Sequence, residues 1–255
     1  MTDPTPEPAP PAVGADDAPD HGGDPPRRTW GLGDAALAFL VGMLAGSLTG
    51  GLYAAASGAT TGPGVSIAGF VGFWMGLAGI PYLTSRRKGS GSLAVDFGLW
   101  LSLPVDFAGA VAGVAAQLVL VPIVVFAFDQ IHHVDPSQQA EAITGGARGT
   151  SLLVLGLFIV VGVPIVEELF FRGLLLRALR NRVGDVGAIA LSSAVFGLAH
   201  ADPSLPGFTV LSLVVALGLV GAVFATLALR TGRLGPGIFA HAAFNLITVI
   251  YLFSH

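Results

Sequence analysis

From about residue 34 onward the chain alternates long apolar runs with short polar or charged breaks. Each run is close to the twenty or so apolar residues that cross a bilayer as a helix. The first predicted segment runs from Asp34 to Ala56 and the second from Val65 to Thr84. A third runs from Asp106 to Phe128, with Asp106 placed to cap its start. The fourth begins near Ser151, the fifth covers Val186 to His200, the sixth Phe208 to Leu229 and the seventh Gly235 to Phe253. Leu93 to Leu103 is too short to span comfortably and is expected to lie in the interface, or to form an eighth span if it inserts. The predicted fold is an all-α polytopic transmembrane helix bundle of seven spans, or of eight if Leu93 to Leu103 inserts. Gly42, Gly46 and Gly50 recur every fourth residue of the first segment, a row that permits close helix packing within the chain.

The polar stretches complete the organisation. Residues 1–29 are rich in Pro, Ala, Gly and Asp and read as a disordered acidic tail; residues 30–149 form the amino-terminal helices and 150–255 the candidate catalytic core. The tail lacks the apolar stretch of a cleavable signal, so the first segment is expected to act as an uncleaved anchor. Asp129 to Gly149 is a polar connection whose adjacent His132 and His133 read as solvated loop residues. Basic clusters stand at Arg27–Arg28, at Arg86, Arg87 and Lys88, at Arg177, Arg180 and Arg182, and at Arg230 and Arg233. With seven crossings all four fall on one side, which predicts a cytoplasmic amino terminus, and a plasma membrane location is expected.

Composition sharpens this picture only in part. The chain has 255 residues, of which 53% are hydrophobic and 11% charged, with a mean hydropathy of +0.76. Soluble globular proteins carry about 25% charged residues. The formal charge of −4 is local: residues 1–29 hold six acids against two bases, and the remaining ten acids balance ten bases. No basic, aromatic-studded patch points to nucleic acid, and with no cysteine there is neither thiolate nor disulfide chemistry.

Candidate chemistry concentrates in the stretch 163–180, VPIVEELFFRGLLLRALR. A charge at the centre of a membrane helix costs roughly 2.5–3.5 kcal/mol on insertion scales, so Glu167, Glu168 and Arg172 each need a reason. Glu168 and Arg172 are four apart and can pair on one face. Glu167 points about 100° away and is left over. Further along, Phe196 and His200 share one helix face, and His241 and Asn245 share another. These residue types suit cleavage of an acyl bond by water. Glu167 serves as base, His200 orients the water or shares its proton, and His241 with Asn245 donate to the oxyanion. Ser192 and Ser193 lack the turn that a serine nucleophile needs. Counted along its helix, His200 lies about 25 Å from the arginine end, so the fifth segment must tilt or start below the surface to reach Glu167. A polar cavity opening towards the cytoplasm is expected.

The pieces EELFFR (167–172), FGLAH (196–200) and HAAFN (241–245) resemble the EExxxR, FxxxH and HxxxN motifs of the CPBP intramembrane proteases, the family of the CAAX prenyl proteases and many bacterial Abi proteins. The resemblance covers about residues 150–250. It implies an intramembrane endopeptidase acting on a peptide or protein substrate in or at the lipid bilayer. It also implies that Glu167 and His200 activate water, that His241 and Asn245 stabilise the oxyanion, and that Glu168, Arg172 and Phe196 support the site. The family is often described as metalloproteases, and Glu167, His200, His241 and Asn245 are residue types that can ligate a divalent metal such as zinc. No HExxH motif is present, so metal-dependent and metal-free mechanisms both stand. Two rival readings are a binding or immunity protein that keeps the motifs without proteolysis, and an ion-coupled transporter using the same groups as a relay. The second expects internal repeats, and none is visible between the two halves.

Overall fold

The computed structural model describes residues 30–135, 137–138, 147 and 149–254. The expected tail, with Arg27 and Arg28, and most of the 136–148 connection, with Arg148, lie outside the described residues. The described chain is helical throughout: α1 (Leu32–Ser57), α2 (Pro63–Lys88), the short α3 (Leu93–Phe97), α4 (Val105–Asp129), α5 (Thr150–Ala199), α6 (Gly207–Thr231) and α7 (Gly235–Ser254). Six of these are long and apolar enough to cross a membrane, one fewer than expected. The difference lies in α5, where the expected fourth and fifth segments join without a loop.

A straight helix of the 50 residues of α5 would measure about 75 Å, more than twice the roughly 30 Å hydrocarbon core. The chain instead breaks at Gly184, whose φ of 70° and ψ of −177° suit only a residue without Cβ. The break folds residues 185–199 back on the first limb. Glu167 and His200, which would stand about 50 Å apart on a continuous rod, come within 3.9 Å.

The alternative of an eighth span at Leu93 to Leu103 does not form. Only Leu93–Phe97 is helical, and Gly98 ends it at φ 75°. Asp96 is buried and accepts from the Ser85 hydroxyl at 2.6 Å. Nor does Asp106 act as the simple helix cap expected of it. Its carboxylate is fully buried and meets Arg233 at 2.7 Å while accepting from Ser102 N at 2.6 Å. A buried charge needs a counter-charge more than it needs a helix end.

Lipid takes the place of water around this bundle. Leu40, Leu44, Leu48 and Leu52 form an exposed apolar stripe on α1. The glycine row on the opposite face packs into α2, as expected. A Cβ on Gly42 would lie 2.8 Å from the Phe73 carbonyl, and one on Gly46 2.9 Å from that of Gly69. Thr49 Oγ1 donates across this contact to Ala68 O at 2.6 Å. Interior and exterior are partly inverted relative to a soluble protein: the largest fully buried side chain is Arg172.

The described basic clusters gather at one end. Lys88 pairs with Asp34 at 2.7 Å, and Arg177 donates to Gly232 O at 2.9 Å. Trp30, Phe97 and Leu234 pack together beneath them. The loop containing Asp202 and the residues around His132 and Asp135 lie at the other end, where the His132 ring meets Phe208 and Asp135 N donates to Thr209 Oγ1 at 3.5 Å.

Candidate active site

Two consecutive features of α5 place its polar groups. Pro164 opens the segment carrying Glu167 and Glu168, and a wider π-helical stretch follows at Leu169–Leu175. Such stretches interrupt the regular ladder and often mark functional sites. Glu168 turns into the bundle and meets Arg172 Nη1 at 2.9 Å, with both side chains at most 1% exposed. Arg172 also donates through Nη2 to Gly221 O at 3.1 Å. Its guanidinium lies 4.4 Å from the Phe196 ring centre, with Phe171 and Phe224 close by. An arginine enclosed by three aromatic faces and a carboxylate replaces its lost hydration with quadrupole and ionic contacts. Phe196 packs over this buried pair.

The second limb of α5 ends at His200. Ala201, Asp202 and Pro203 cannot continue it, because proline supplies no N–H and restricts the residue before it. The carbonyls of the last turn are thereby freed, and Phe196 O accepts from His200 Nδ1 at 2.7 Å. On α7, His241 Nδ1 faces Glu168 Oε1 at 3.3 Å, and its ring stacks on Phe224 at 5.1 Å. A carbonyl and an arginine-paired carboxylate can only accept, so both imidazoles carry their neutral-form proton on Nδ1. Both therefore present Nε2 to Glu167, each at 3.9 Å from Oε2.

Glu167 Oε2 is buried and has no hydrogen-bond partner among the described residues. The structure thus brings Glu167, His200 and His241 together at one point and places Glu168, Arg172 and Phe196 directly behind them. Asn245 stands one turn beyond His241 on the same cavity wall, with Nδ2 donating to Ile159 O at 2.8 Å. Ser192 and Ser193 do not line this cavity.

The cavity has a volume of about 860 Å³ and draws its walls from both halves of the chain, including Phe70, Phe73 and Gln117 from the amino-terminal helices. It runs from Glu167 to Asp135, Asp202 and Tyr251, away from the arginine end. This corrects the expected opening: the mouth and the basic clusters lie at opposite ends of the bundle. The Asp106–Arg233 pair and the Phe97 and Leu234 packing close the arginine end. At the mouth, hydrogen bonds from the Ser137 and Ser204 hydroxyls hold Asp135 and Asp202 below the usual carboxylate range, so the rim is anionic at neutral pH.

The residues as placed do not make a metal site. Ligands held about 2.0–2.1 Å from zinc at tetrahedral angles lie about 3.3 Å apart. The carboxylate–imidazole separations here are 3.9 Å, and no group of three or more His, Cys, Asp or Glu among the described residues has a metal-holding arrangement. No step is routed through a metal below.

Gln117 escaped the reading of the sequence. A lone amide in the run VAAQLVLV is the signal that marks it, because a polar group amid lipid-length apolar sequence is costly.

A carboxylate and two imidazoles, backed by a buried ion pair inside apolar helices, define an integral membrane protein with an intramembrane polar site. Residues 149–247 match the family model described as Type II CAAX prenyl endopeptidase Rce1-like. The EELFFR, FGLAH and HAAFN pieces all lie inside that match. It is also 32% identical over 114 residues to the Bacillus subtilis (strain 168) protein named "Putative membrane peptidase YdiL". That match spans 45% of this chain and 43% of the relative, less than half of its length. No solved structure matches the chain.

Proposed function

We propose that this protein is an intramembrane endopeptidase that hydrolyses a peptide bond of a membrane-associated protein, of CAAX type or another class. One observation carries the reading. An unpartnered carboxylate oxygen faces two imidazole Nε2 atoms, each at 3.9 Å, on the wall of a peptide-sized cavity. A water about 2.8 Å from both Glu167 Oε2 and His200 Nε2 would subtend roughly 90° between them, an acceptable geometry for two hydrogen bonds.

In this mechanism Glu167 takes a proton as the water oxygen attacks the substrate carbonyl, and the carbonyl π electrons move onto oxygen. His241 and Asn245 stabilise that oxyanion, Asn245 through its amide N–H. Collapse breaks the C–N bond, and the proton on Glu167 passes to the departing amine. Glu168 and Arg172 hold His241 in register. We read residues 150–255 as the catalytic core, α5 as two crossings and the bundle as seven-spanning. The arginine clusters support a cytoplasmic amino terminus, and we read the protein as one of the plasma membrane. In that orientation the cavity mouth faces away from the cytoplasm.

The test compares membrane-protein termini in cells carrying wild type or Glu167→Ala at matched expression. New carboxyl termini found only with wild type are expected and would name the substrate. Identical termini from two folded, abundant proteins would refute proteolysis.

A further inference from the structure

Gln117 lies outside the region matched by the family model, on α4, yet its side chain lines the same cavity as Glu167, His241 and Asn245. Its depth follows from how α4 meets α7. A Cβ on Gly109 would overlap the Pro236 carbonyl, and one on Gly113 the Ala240 carbonyl. The two helices therefore run parallel in one-turn steps. One turn further on, Gln117, Phe244 and Asn245 all line the cavity. Ala116 packs on Phe224 and Phe244, the aromatic wall that also supports His241. Residues 116–120 form a π-helical turn, so the ladder is irregular where Gln117 projects.

The Gln117 carboxamide is half-buried, and its Oε1 is fully buried with no hydrogen-bond partner among the described residues. Buried amide oxygens are almost always paired, and each exception asks for an explanation. A bound chain supplies one. A carboxamide offers one acceptor face and two donors, which complement the N–H and C=O of a peptide group. We propose that Gln117 is a substrate-binding residue of this cavity, pairing with a backbone amide of the bound polypeptide close to the cleaved bond. The choice of a peptide as ligand rests on the endopeptidase reading; the unpartnered amide oxygen does not.

Full-length protein in detergent micelles is tested with an internally quenched, farnesylated peptide ending in a CAAX sequence. The same peptide, dye-labelled, reports binding by anisotropy in a Glu167→Gln background. Gln117→Met keeps side-chain length and removes both polar atoms. We expect KM and Kd to rise about tenfold, with kcat within about threefold and a thermal midpoint unchanged or raised, because an unpaired buried polar atom is gone. A series of peptides with single amide-to-ester replacements adds an independent check. One ester should weaken wild type and leave Gln117→Met unaffected. Unchanged KM and Kd in the variant overturn the inference. So does a lowered thermal midpoint with kcat and KM lost together, which marks a purely structural residue. If wild type binds the peptide without cleaving it, the endopeptidase reading falls and Kd alone decides for or against Gln117. Wild type that neither binds nor cleaves this peptide overturns both for substrates of CAAX type.

Discussion

Replacing Arg172 with methionine tests the buried pair most directly. The guanidinium and the Glu168 carboxylate are 1% and 0% exposed and 2.9 Å apart, so Arg172→Met strands a carboxylate in a low-dielectric interior. Breaking such a pair from one side typically costs about 3–5 kcal/mol. The lost donor to Gly221 O and the emptied aromatic sandwich act in the same direction. For a chain of this size each kcal/mol corresponds to roughly 2–4 °C, so the thermal midpoint in detergent should fall by about 10 °C. The informative comparison is the double variant Glu168→Gln/Arg172→Met. It removes both charges together and should recover most of the lost stability, because the penalty lies in the unpaired charge. Activity should stay low in these two variants and in Glu168→Gln alone, since each removes or unmoors the carboxylate that Arg172 holds 3.3 Å from His241. A single Arg172→Met variant as stable as wild type would refute the pairing, as would a double variant that loses the sum of the two single effects.

Glu167→Gln should fold normally and lose at least about a hundredfold in turnover, measured with any substrate found by terminus mapping. Asn245→Ala should reduce kcat by about 10²–10³ with little change in KM if the amide meets the oxyanion. A Cβ on Gly237 would lie 2.8 Å from Glu168 Oε2. Gly237→Ala should therefore lower both thermal midpoint and turnover, while alanine at Gly33, which has open space around it, should do neither. The chain has no cysteine, so single-cysteine labelling can settle orientation. Ser90→Cys, at the arginine end, should react from the cytoplasm and Ser204→Cys, at the cavity mouth, from the opposite side.

Hydropathy alone located the apolar helices, because crossing lipid demands about twenty consecutive apolar residues whatever they pack against. Local spacing also paired Glu168 with Arg172 and freed Glu167, since both statements follow from helix geometry over a single turn. The FGLAH and HAAFN pieces were legible as polar groups in apolar runs. Their meeting point was not. It depends on the direction in which the reversal at Gly184 returns the chain; the polar break LRNRVGD marks the interruption but not that direction. The cavity mouth was misplaced because its position rests on which bundle end is sealed, and the Asp106–Arg233 closure joins residues 127 positions apart in the chain. Gln117 was passed over for a similar reason: nothing near it in the sequence is polar, and only the glycine-tight contact of α4 with α7 brings it level with Asn245. The amino-acid sequence by itself determined the helical segments, their apolar faces and the identity of the reactive groups, all set by short-range periodicity and the cost of charge in lipid. Tertiary packing decided which groups converge and where the cavity opens, because those depend on contacts between helices far apart in the chain.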